Sequence, residues 1–478
     1  MRKITFVTAA FLGLIIGGVS GAMSQSANHE VLAGPSATNQ HVQNAMAIGE
    51  VFGAGEKITT VVIEYDREID NSKLLTSAFS VKDRKITKVY ANKDAAKDAR
   101  GADGRFVVIE MDPEDEAAAV IPGRAMAGPP SGSQGNGPGG GSSDGSGNGP
   151  NGSRGPGARG AMQTPRRAVK ASVAQVGEIV SIKGERLPAD AKFFDTNKAV
   201  NLIVDDFQQL VYNDPENGNV LKYNLYVPKN YDRTKSNPLV LFMPDASVTS
   251  DEHDRTLIQG NGAIVWASPE SQAKHPAFVL APQFNIQIAT DESTTPNIID
   301  TIYRLVNQVS DKYGLDKGRI YTTGQSGGCM MSLALNIKYP DLFAASFYVA
   351  GQWDPQATAV LKDKKAWILV SEGDAKAFPG MNASIEVWEK NGAKITKGRW
   401  SARAPQKEQA ANVAKMITEG NNINYTTFIK GTTFPPEQAQ SGGQEHMNTW
   451  KFAYNIPAIR DWILEQSKAK SKEKGEKK

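Results

Sequence analysis

The chain has 478 residues, enough for two domains, and 40% of them are hydrophobic, which indicates globular domains with sizeable cores. Its 54 basic and 51 acidic residues leave a net charge of +3 and are mixed along most of the chain, so no nucleic-acid partner is expected. A single cysteine, Cys329, excludes any disulfide within one chain.

The N-terminus has the order of a secretory signal. Arg2 and Lys3 precede an apolar run, Ile4–Val19, and small residues follow. This run is shorter than the roughly 20 residues that span a bilayer. We therefore predict a signal peptide at residues 1–24, a secreted or periplasmic protein, and no stable membrane insertion after cleavage. An uncleaved anchor is the alternative.

The next region has the pattern of short β-strands. Three segments rich in β-branched residues are separated by turn residues: Ile58–Tyr65, Arg105–Met111 and Val173–Ile182. Such a series predicts a small β-sandwich, which we assign to residues 43–204.

A low-complexity segment interrupts this β region. Gly123–Gly160 consists mainly of Gly, Pro, Ser and Asn and has almost no large apolar residue. It cannot bury enough surface to offset the entropy of ordering it. We predict a disordered insertion in the β domain at residues 123–165, with an interdomain linker as the alternative.

From Asp205 onward, short apolar strands alternate with helices, which predicts a mostly parallel sheet flanked by helices over residues 205–466. Residues 467–478 form a Lys-rich end that we expect to be disordered. The predicted strands are Leu221–Val227, Leu239–Met243, Phe278–Ala281, Arg319–Thr323, Ala345–Ala350, Ala366–Val370 and Asn424–Ile429. The predicted helices are Asn297–Tyr313, Cys329–Lys338 and Ile459–Leu464.

Two segments match the G-x-S-x-G pattern of a nucleophilic serine. Gly141–Gly145 lies in the Gly-rich insertion, where composition alone produces matches. Gly324–Gly328 instead stands between a predicted strand and a predicted helix, as the nucleophile elbow of an α/β-hydrolase fold requires. Side chains at Gly324 or Gly328 would be expected to collide with neighbouring backbone. Ser326 is therefore the predicted nucleophile.

Only one histidine can serve as its base. On this fold the catalytic residues occur in the order Ser, acid, His. Four of the five histidines precede Ser326, which leaves His446, between the last predicted strand and the final helix.

The acid is expected after the strand that ends near Val370. Glu372 and Asp374 both stand there, and Asp354 follows the preceding strand. We favour Asp374, because it lies deeper in the loop and Gly373 gives it freedom to turn inward. Glu372 is the first alternative and Asp354 the second.

An oxyanion hole needs two backbone N–H groups. Gly327 follows the nucleophile, and Ala246 follows the strand Leu239–Met243, so these are the candidates. Gln325 and Trp353 are candidates for the substrate pocket, although Trp353 has packing in the core as an equal alternative. Cys329 is expected to pack rather than to act as a second nucleophile.

Three segments carry a family resemblance. They are YTTGQSGGCMMSLALNIKYPDLFAASFYVAGQWDP from Tyr321, SEGDAKAFPGM from Ser371 and EHMNTW from Glu445. They resemble bacterial secreted esterases with an N-terminal Ig-like domain, of the polyhydroxybutyrate-depolymerase and feruloyl-esterase-like group. The resemblance implies an Ig-like fold for the β region and a triad of Ser326, Asp374 and His446.

One departure from that family concerns the oxyanion loop. It usually begins with His-Asp or His-Gly, and here Pro244 takes the place of the histidine. A proline cannot donate an N–H, so the geometry of this loop is open at this point.

The predicted function is an exported serine carboxylic-ester hydrolase that acts on a small-molecule or polymeric ester. A serine peptidase of the same fold is the alternative within enzymes. A binding or adhesion protein with an inactive hydrolase domain is the alternative of another class. No cofactor and no metal are expected, because no metal-ligand or phosphate-binding motif is present. The oligomeric state is left open.

Overall fold

A computed structural model describes residues 40–98, 100–122, 165–436 and 442–468. The assigned signal peptide, the second G-x-S-x-G match and nearly all of the insertion and the C-terminal end lie outside the described residues. Within these ranges, no helix combines the length and apolar character needed to cross a bilayer.

The first domain consists of two packed sheets and a small hairpin. A five-stranded sheet has the order β10-β1-β2-β5-β4, a three-stranded sheet the order β3-β6-β9, and β7 pairs with β8. The strands are β1 Val42–Phe52, β2 Gly55–Ile69, β3 Phe79–Val81, β4 Ile86–Asn92, β5 Gly104–Met111, β6 Ser172–Gln175, β7 Ile179–Val180, β8 Arg186–Leu187, β9 Asp190–Asp195 and β10 Lys198–Asn201. Strands β6 to β10 follow residues 123–164, which lie outside the described ranges. Because β10 pairs with β1 and β6 pairs with β3, the residues before and after that segment belong to one domain.

A shared core joins the two larger sheets into a sandwich. Val61 and Val107 from the first sheet and Phe79, Val173 and Phe194 from the second belong to one buried cluster. Each such side chain contributes about 1.5–3 kcal/mol when it is fully buried.

The single strand predicted at Val173–Ile182 is in fact two strands, β6 and β7, in different sheets. The chain turns between them because the amides of Val176 and Gly177 both donate to the Ala78 carbonyl oxygen. A side chain at Gly177 would meet the Ala78 Cα at 2.9 Å, so this approach requires glycine.

The second domain is built on a nine-stranded sheet with the order β11-β12-β14-β13-β15-β16-β17-β19-β18. Its strands are β11 Phe207–Asn213, β12 Val220–Tyr226, β13 Leu239–Met243, β14 Phe278–Gln283, β15 Ile320–Gln325, β16 Ala345–Val349, β17 Ala366–Ser371, β18 Ile395–Trp400 and β19 Ile423–Phe428. Only the pairings of β12 with β11 and β14 are antiparallel. The parallel strands place their carboxyl ends at one edge.

Helices cover both faces of this sheet. They are α1 Arg255–Ile258, α2 Pro269–Lys274, α3 Ile298–Tyr313, α4 Gly327–Lys338, α5 Ala377–Lys390, α6 Gln406–Ile417, α7 Gly442–Ala453 and α8 Pro457–Leu464. One buried cluster joins the sheet to α3, α4 and α5. A second joins the other face to α1, α6, α7 and α8. A β-sandwich followed by an α/β-hydrolase fold is thus confirmed. In the second domain β11, β18, α1, α2, α5, α6 and α7 were not predicted.

The two domains are in contact near α1 and α7. The β1–β2 turn lies against α7, where a Cβ at Gly53 would come within 2.5 Å of the Lys451 carbonyl oxygen. Behind α1, the Arg166 guanidinium donates to Asp254 at 2.6 Å and to Glu56 at 3.2 Å. Burial raises the pKa of Glu56 to about 7, against the lowering effect of Arg166.

Candidate active site

Ser326 occupies a strained turn between β15 and α4. Its backbone has φ 52° and ψ −120°, a conformation that residues with side chains rarely adopt. The turn is possible because strand and helix approach closely at two glycines. A Cβ at Gly324 would lie 2.5 Å from the Gly328 carbonyl oxygen, and one at Gly328 would lie 2.0 Å from that of Met243. These are the backbone collisions expected from the sequence.

His446 lies next to Ser326. Its Nε2 is 2.8 Å from Ser326 Oγ, so the pair is in hydrogen-bonding contact. The residue lies within α7, a helix that the sequence analysis did not predict. One turn later, Trp450 packs edge-on against the imidazole with 5.2 Å between ring centroids, which restricts the orientation of the ring.

The structure distinguishes the two carboxylates after β17. Asp374 is 1% exposed, and its Oδ2 is 2.5 Å from His446 Nδ1. Its Oδ1 accepts the backbone N–H groups of Lys376 and Ala377, at 3.0 and 2.9 Å, which fixes the carboxylate. Asp374 is therefore positioned to orient the imidazole.

Glu372 turns to the opposite side of the loop. It accepts from the Arg399 guanidinium and from the Lys430 amide. The Arg399 guanidinium lowers the pKa of the Glu372 carboxyl, which keeps it charged in this ion pair. The third candidate, Asp354, accepts the Gln356 amide in its own turn.

The two proposed oxyanion donors lie side by side. The Ala246 nitrogen is 3.4 Å from the position that a Cβ on Gly327 would occupy. Ala246 and Gly327 each stand at the first position of a helical turn, where the backbone N–H has no acceptor within the helix. Asp245 anchors the loop, because its carboxylate accepts the Ser247 amide at 2.9 Å and the Gln325 side-chain amide at 3.2 Å. The loop is thus held in place although it begins with Pro244.

Two predicted pocket residues lie elsewhere. Gln325 is fully buried, and its amide binds Asp245 and Gln259, so it supports the oxyanion loop from below instead of lining a pocket. Side chains alternate along a strand, which turns Gln325 away from the surface that carries Ser326. Trp353 is 7% exposed and belongs to the core cluster around α4 and α5, as its packing alternative states.

Cys329 also packs in the core. It is fully buried beneath the elbow, against Gly351. Burial raises the pKa of its thiol well above the ordinary value, which disfavours the reactive thiolate.

Several residues of the site were missed in the sequence. Glu445, directly before His446, is fully buried against the loop after β17 that carries Asp374, here called the acid loop. A narrow cleft of about 10 Å³ beside the elbow is lined by apolar residues, among them Ile286, Ile288 and Met331, and by polar ones, among them Gln283 and Gln287. No motif marks Ile286, because it comes from an irregular loop after β14.

This arrangement can activate a hydroxyl group. A proton can pass from Ser326 to His446 while Asp374 supports the charged imidazole, and the backbone nitrogens of Gly327 and Ala246 lie close to each other beside Ser326. Among the described residues, no three His, Cys, Asp or Glu side chains are grouped as a metal site would require.

Comparisons with known proteins agree with this architecture. Residues 44–188 match the family model of the esterase Ig-like N-terminal domain. The crystal structure of a thermostable esterase is 26% identical and superposes over 89% of this chain and 100% of its own, with a TM-score of 0.66.

A curated relative matches a smaller part. Poly(3-hydroxyalkanoate) depolymerase C of Paucimonas lemoignei is 26% identical over 99 residues, which is 18% of this chain. The match spans 24% of the length of that depolymerase. The chain thus combines a domain similar to the esterase Ig-like N-terminal domain, over residues 44–188, with an α/β-hydrolase domain, and over most of its length it is similar to a thermostable esterase.

Proposed function

We propose that this protein hydrolyses carboxylic esters through an acyl-enzyme, with Ser326 as nucleophile, His446 as general base and acid, and Asp374 as the group that orients it. One observation carries the proposal. Ser326 Oγ, both nitrogens of His446 and Asp374 Oδ2 form a continuous hydrogen-bonded line, with distances of 2.8 and 2.5 Å.

In the first half of the reaction, Ser326 Oγ attacks the ester carbonyl carbon while His446 Nε2 takes the hydroxyl proton. The amides of Gly327 and Ala246 donate to the resulting oxyanion. The intermediate then collapses, the bond to the leaving oxygen breaks, and His446 returns the proton to that oxygen. An alcohol leaves and the acyl group remains on Ser326.

In the second half, His446 takes a proton from water, and the resulting hydroxide adds to the acyl carbon. The bond to Oγ breaks, Ser326 regains the proton, and a carboxylic acid is released. Asp374 stabilises the charged imidazole in both halves without taking up a proton.

The cleft beside the elbow that Ile286, Ile288 and Met331 help to line has a volume of only about 10 Å³, far below that of ordinary ligand pockets, so short acyl groups that need no deep pocket are the proposed substrates. The similar proteins are an esterase and a polyhydroxyalkanoate depolymerase, so small-molecule and polymeric esters are the proposed substrates. Because the sequence predicts an N-terminal secretory signal, hydrolysis is proposed to take place outside the cytoplasm.

The test compares esters with amides under one condition. We expect kcat/KM to be highest for short members of a p-nitrophenyl ester series, with lower values for a feruloyl ester and for peptide p-nitroanilides. Peptide turnover equal to that of the best ester would favour the peptidase. No turnover of any of these substrates, with Ser326 also inert to a fluorophosphonate, would favour the inactive binding module.

A further inference from the structure

A buried carboxylate that the proposed mechanism does not use lies next to the triad. Glu445 is fully buried, and both of its oxygens have partners. Oε2 accepts from Ser371 Oγ at 2.6 Å, and Oε1 accepts from the Gly431 amide at 3.1 Å. Removing a carboxylate from water is costly, so a site that served packing alone would favour an apolar side chain.

The partners of Glu445 belong to the segments that carry the acid and the base. Ser371 is the last residue of β17, three positions before Asp374, and Glu445 directly precedes His446 in α7. Gly431 belongs to the loop that follows β19. The Glu445 side chain therefore connects α7, which carries His446, to Ser371 at the start of the acid loop.

The acid loop is shaped to receive this carboxylate. A Cβ on Gly373 would lie 1.9 Å from the Glu445 carboxyl carbon, so the group rests directly on the Gly373 backbone. Gly373 does not have a positive φ, so its role is to leave space and not to provide the freedom expected from the sequence. This contact limits the distance between α7 and the backbone of Gly373, which directly precedes Asp374.

We propose that Glu445 is a positioning residue that sets the separation and orientation of His446 relative to Asp374. The effect of Glu445 on turnover rests on the proposed function, whereas its effect on the distance between His446 and Asp374 does not. Misplacing reacting groups by about 1 Å can cost on the order of a hundredfold in rate, so a bond network at this position has a direct effect on kcat.

The experiment uses the full chain with Glu445→Ala, Glu445→Gln and Ser371→Ala. Thr449→Val is the matched control, because Thr449 also loses a buried hydrogen bond in α7, but one to the Glu445 carbonyl oxygen and not to its carboxylate. We expect Glu445→Ala to lower kcat for p-nitrophenyl butyrate by about a hundredfold with little change in KM. Ser371→Ala should give a smaller loss in the same direction, and Thr449→Val should keep kcat.

One further variant separates positioning from general damage. Glu445→Gln should retain most of the activity, because an amide can accept from Gly431 and donate to Ser371. The proposal is overturned by a folded Glu445→Ala protein with the original kcat, or by a Gln variant as impaired as the Ala variant. If Glu445→Ala does not fold, an unchanged kcat in Ser371→Ala overturns it.

A measurement without turnover separates this proposal from the proposed function. In a Ser326→Ala background, the low-field proton resonance of His446 Nδ1 reports the contact with Asp374. We expect Glu445→Ala to shift or broaden this resonance and Thr449→Val to leave it unchanged. If the wild-type protein hydrolyses no ester but Glu445→Ala still changes the resonance, only the proposed ester hydrolase is refuted. If the wild-type protein is active but Glu445→Ala leaves the resonance unchanged, only the positioning role is refuted.

Discussion

The elbow and the acid–base side of the candidate site are built in different ways. The elbow is local: the strained serine and the two glycines that make room for it lie within Gly324–Gly328. The acid–base side is assembled over long distances, since Asp374 and His446 are 72 residues apart. Contacts between backbone atoms determine the position of Ser326, whereas side-chain hydrogen bonds determine the positions of Asp374 and His446. The position of the nucleophile is thus more tightly restricted than that of its partners.

The largest expected effect tests the elbow itself. Ser326→Ala should lower kcat for p-nitrophenyl esters by on the order of a millionfold, which leaves no turnover above the background rate. Steady-state kinetics of the purified protein measures this loss. Ser143→Ala, in the second G-x-S-x-G match, is the control and should keep full activity. Normal turnover by the Ser326→Ala protein would refute the assignment.

The next effect tests the acid–base side. Asp374→Asn should lower kcat by on the order of ten-thousandfold, because the amide no longer supports the imidazolium or its tautomer. Glu372→Gln is the matched control, two residues away, and should cost far less because Glu372 binds Arg399 and not His446. A larger loss in Glu372→Gln than in Asp374→Asn would show that the acid is Glu372.

A pair of glycine substitutions compares the two constructions directly. Gly328→Ala should cost about 3 kcal/mol or more of stability, because its Cβ would press on the fixed Met243 carbonyl. Gly373→Ala should cost less stability, because only the Glu445 carboxylate has to move, but it should lower kcat. Urea midpoints and kcat for both variants test this. Equal losses of stability would mean that the acid loop is as rigid as the elbow.

The smallest expected effect concerns the buried contact between the two domains next to α1, where Arg166 binds Glu56 and Asp254. Burial raises the pKa of Glu56 from 4.5 to about 7, with Asp254 and Asp205 adding to the rise and Arg166 opposing it. As pH increases through this window, the unfolded chain loses the proton first, so stability falls, by at most about 3 kcal/mol. Stability below the window is unaffected, because the group is protonated in both states.

Urea unfolding of wild type and Glu56→Gln on both sides of that window measures the effect. The Gln variant should show a flatter dependence of stability on pH. The exposed Glu116 lies in the same domain, and Glu116→Gln is the control that should keep the wild-type slope. A wild-type slope in Glu56→Gln would remove Glu56 as the source.

Much of the architecture could be predicted because it depends on local patterns. Strand Leu239–Met243 was predicted with the bounds that the structure gives, since five apolar residues in a row leave little choice. The edge strand Ile395–Trp400 was missed because its Lys, Gly and Arg interrupt any apolar pattern. The prediction of one continuous strand at Val173–Ile182 was wrong because the contact of Gly177 with Ala78 cannot be recognised in the local sequence.

The sequence by itself determined the domain order and the elbow, because apolar patterns and turn chemistry act over a few residues. It also left His446 as the candidate base by elimination, from the order of the residues along the chain. Only the tertiary structure decided between Glu372 and Asp374, moved Gln325 from the pocket to the support of the oxyanion loop, and brought Glu445 to the acid loop. The physical reason is the same in each case. A carboxylate or amide takes its role from its partner, and Arg399, Asp245 and Ser371 reach these groups only through packing across the sheet.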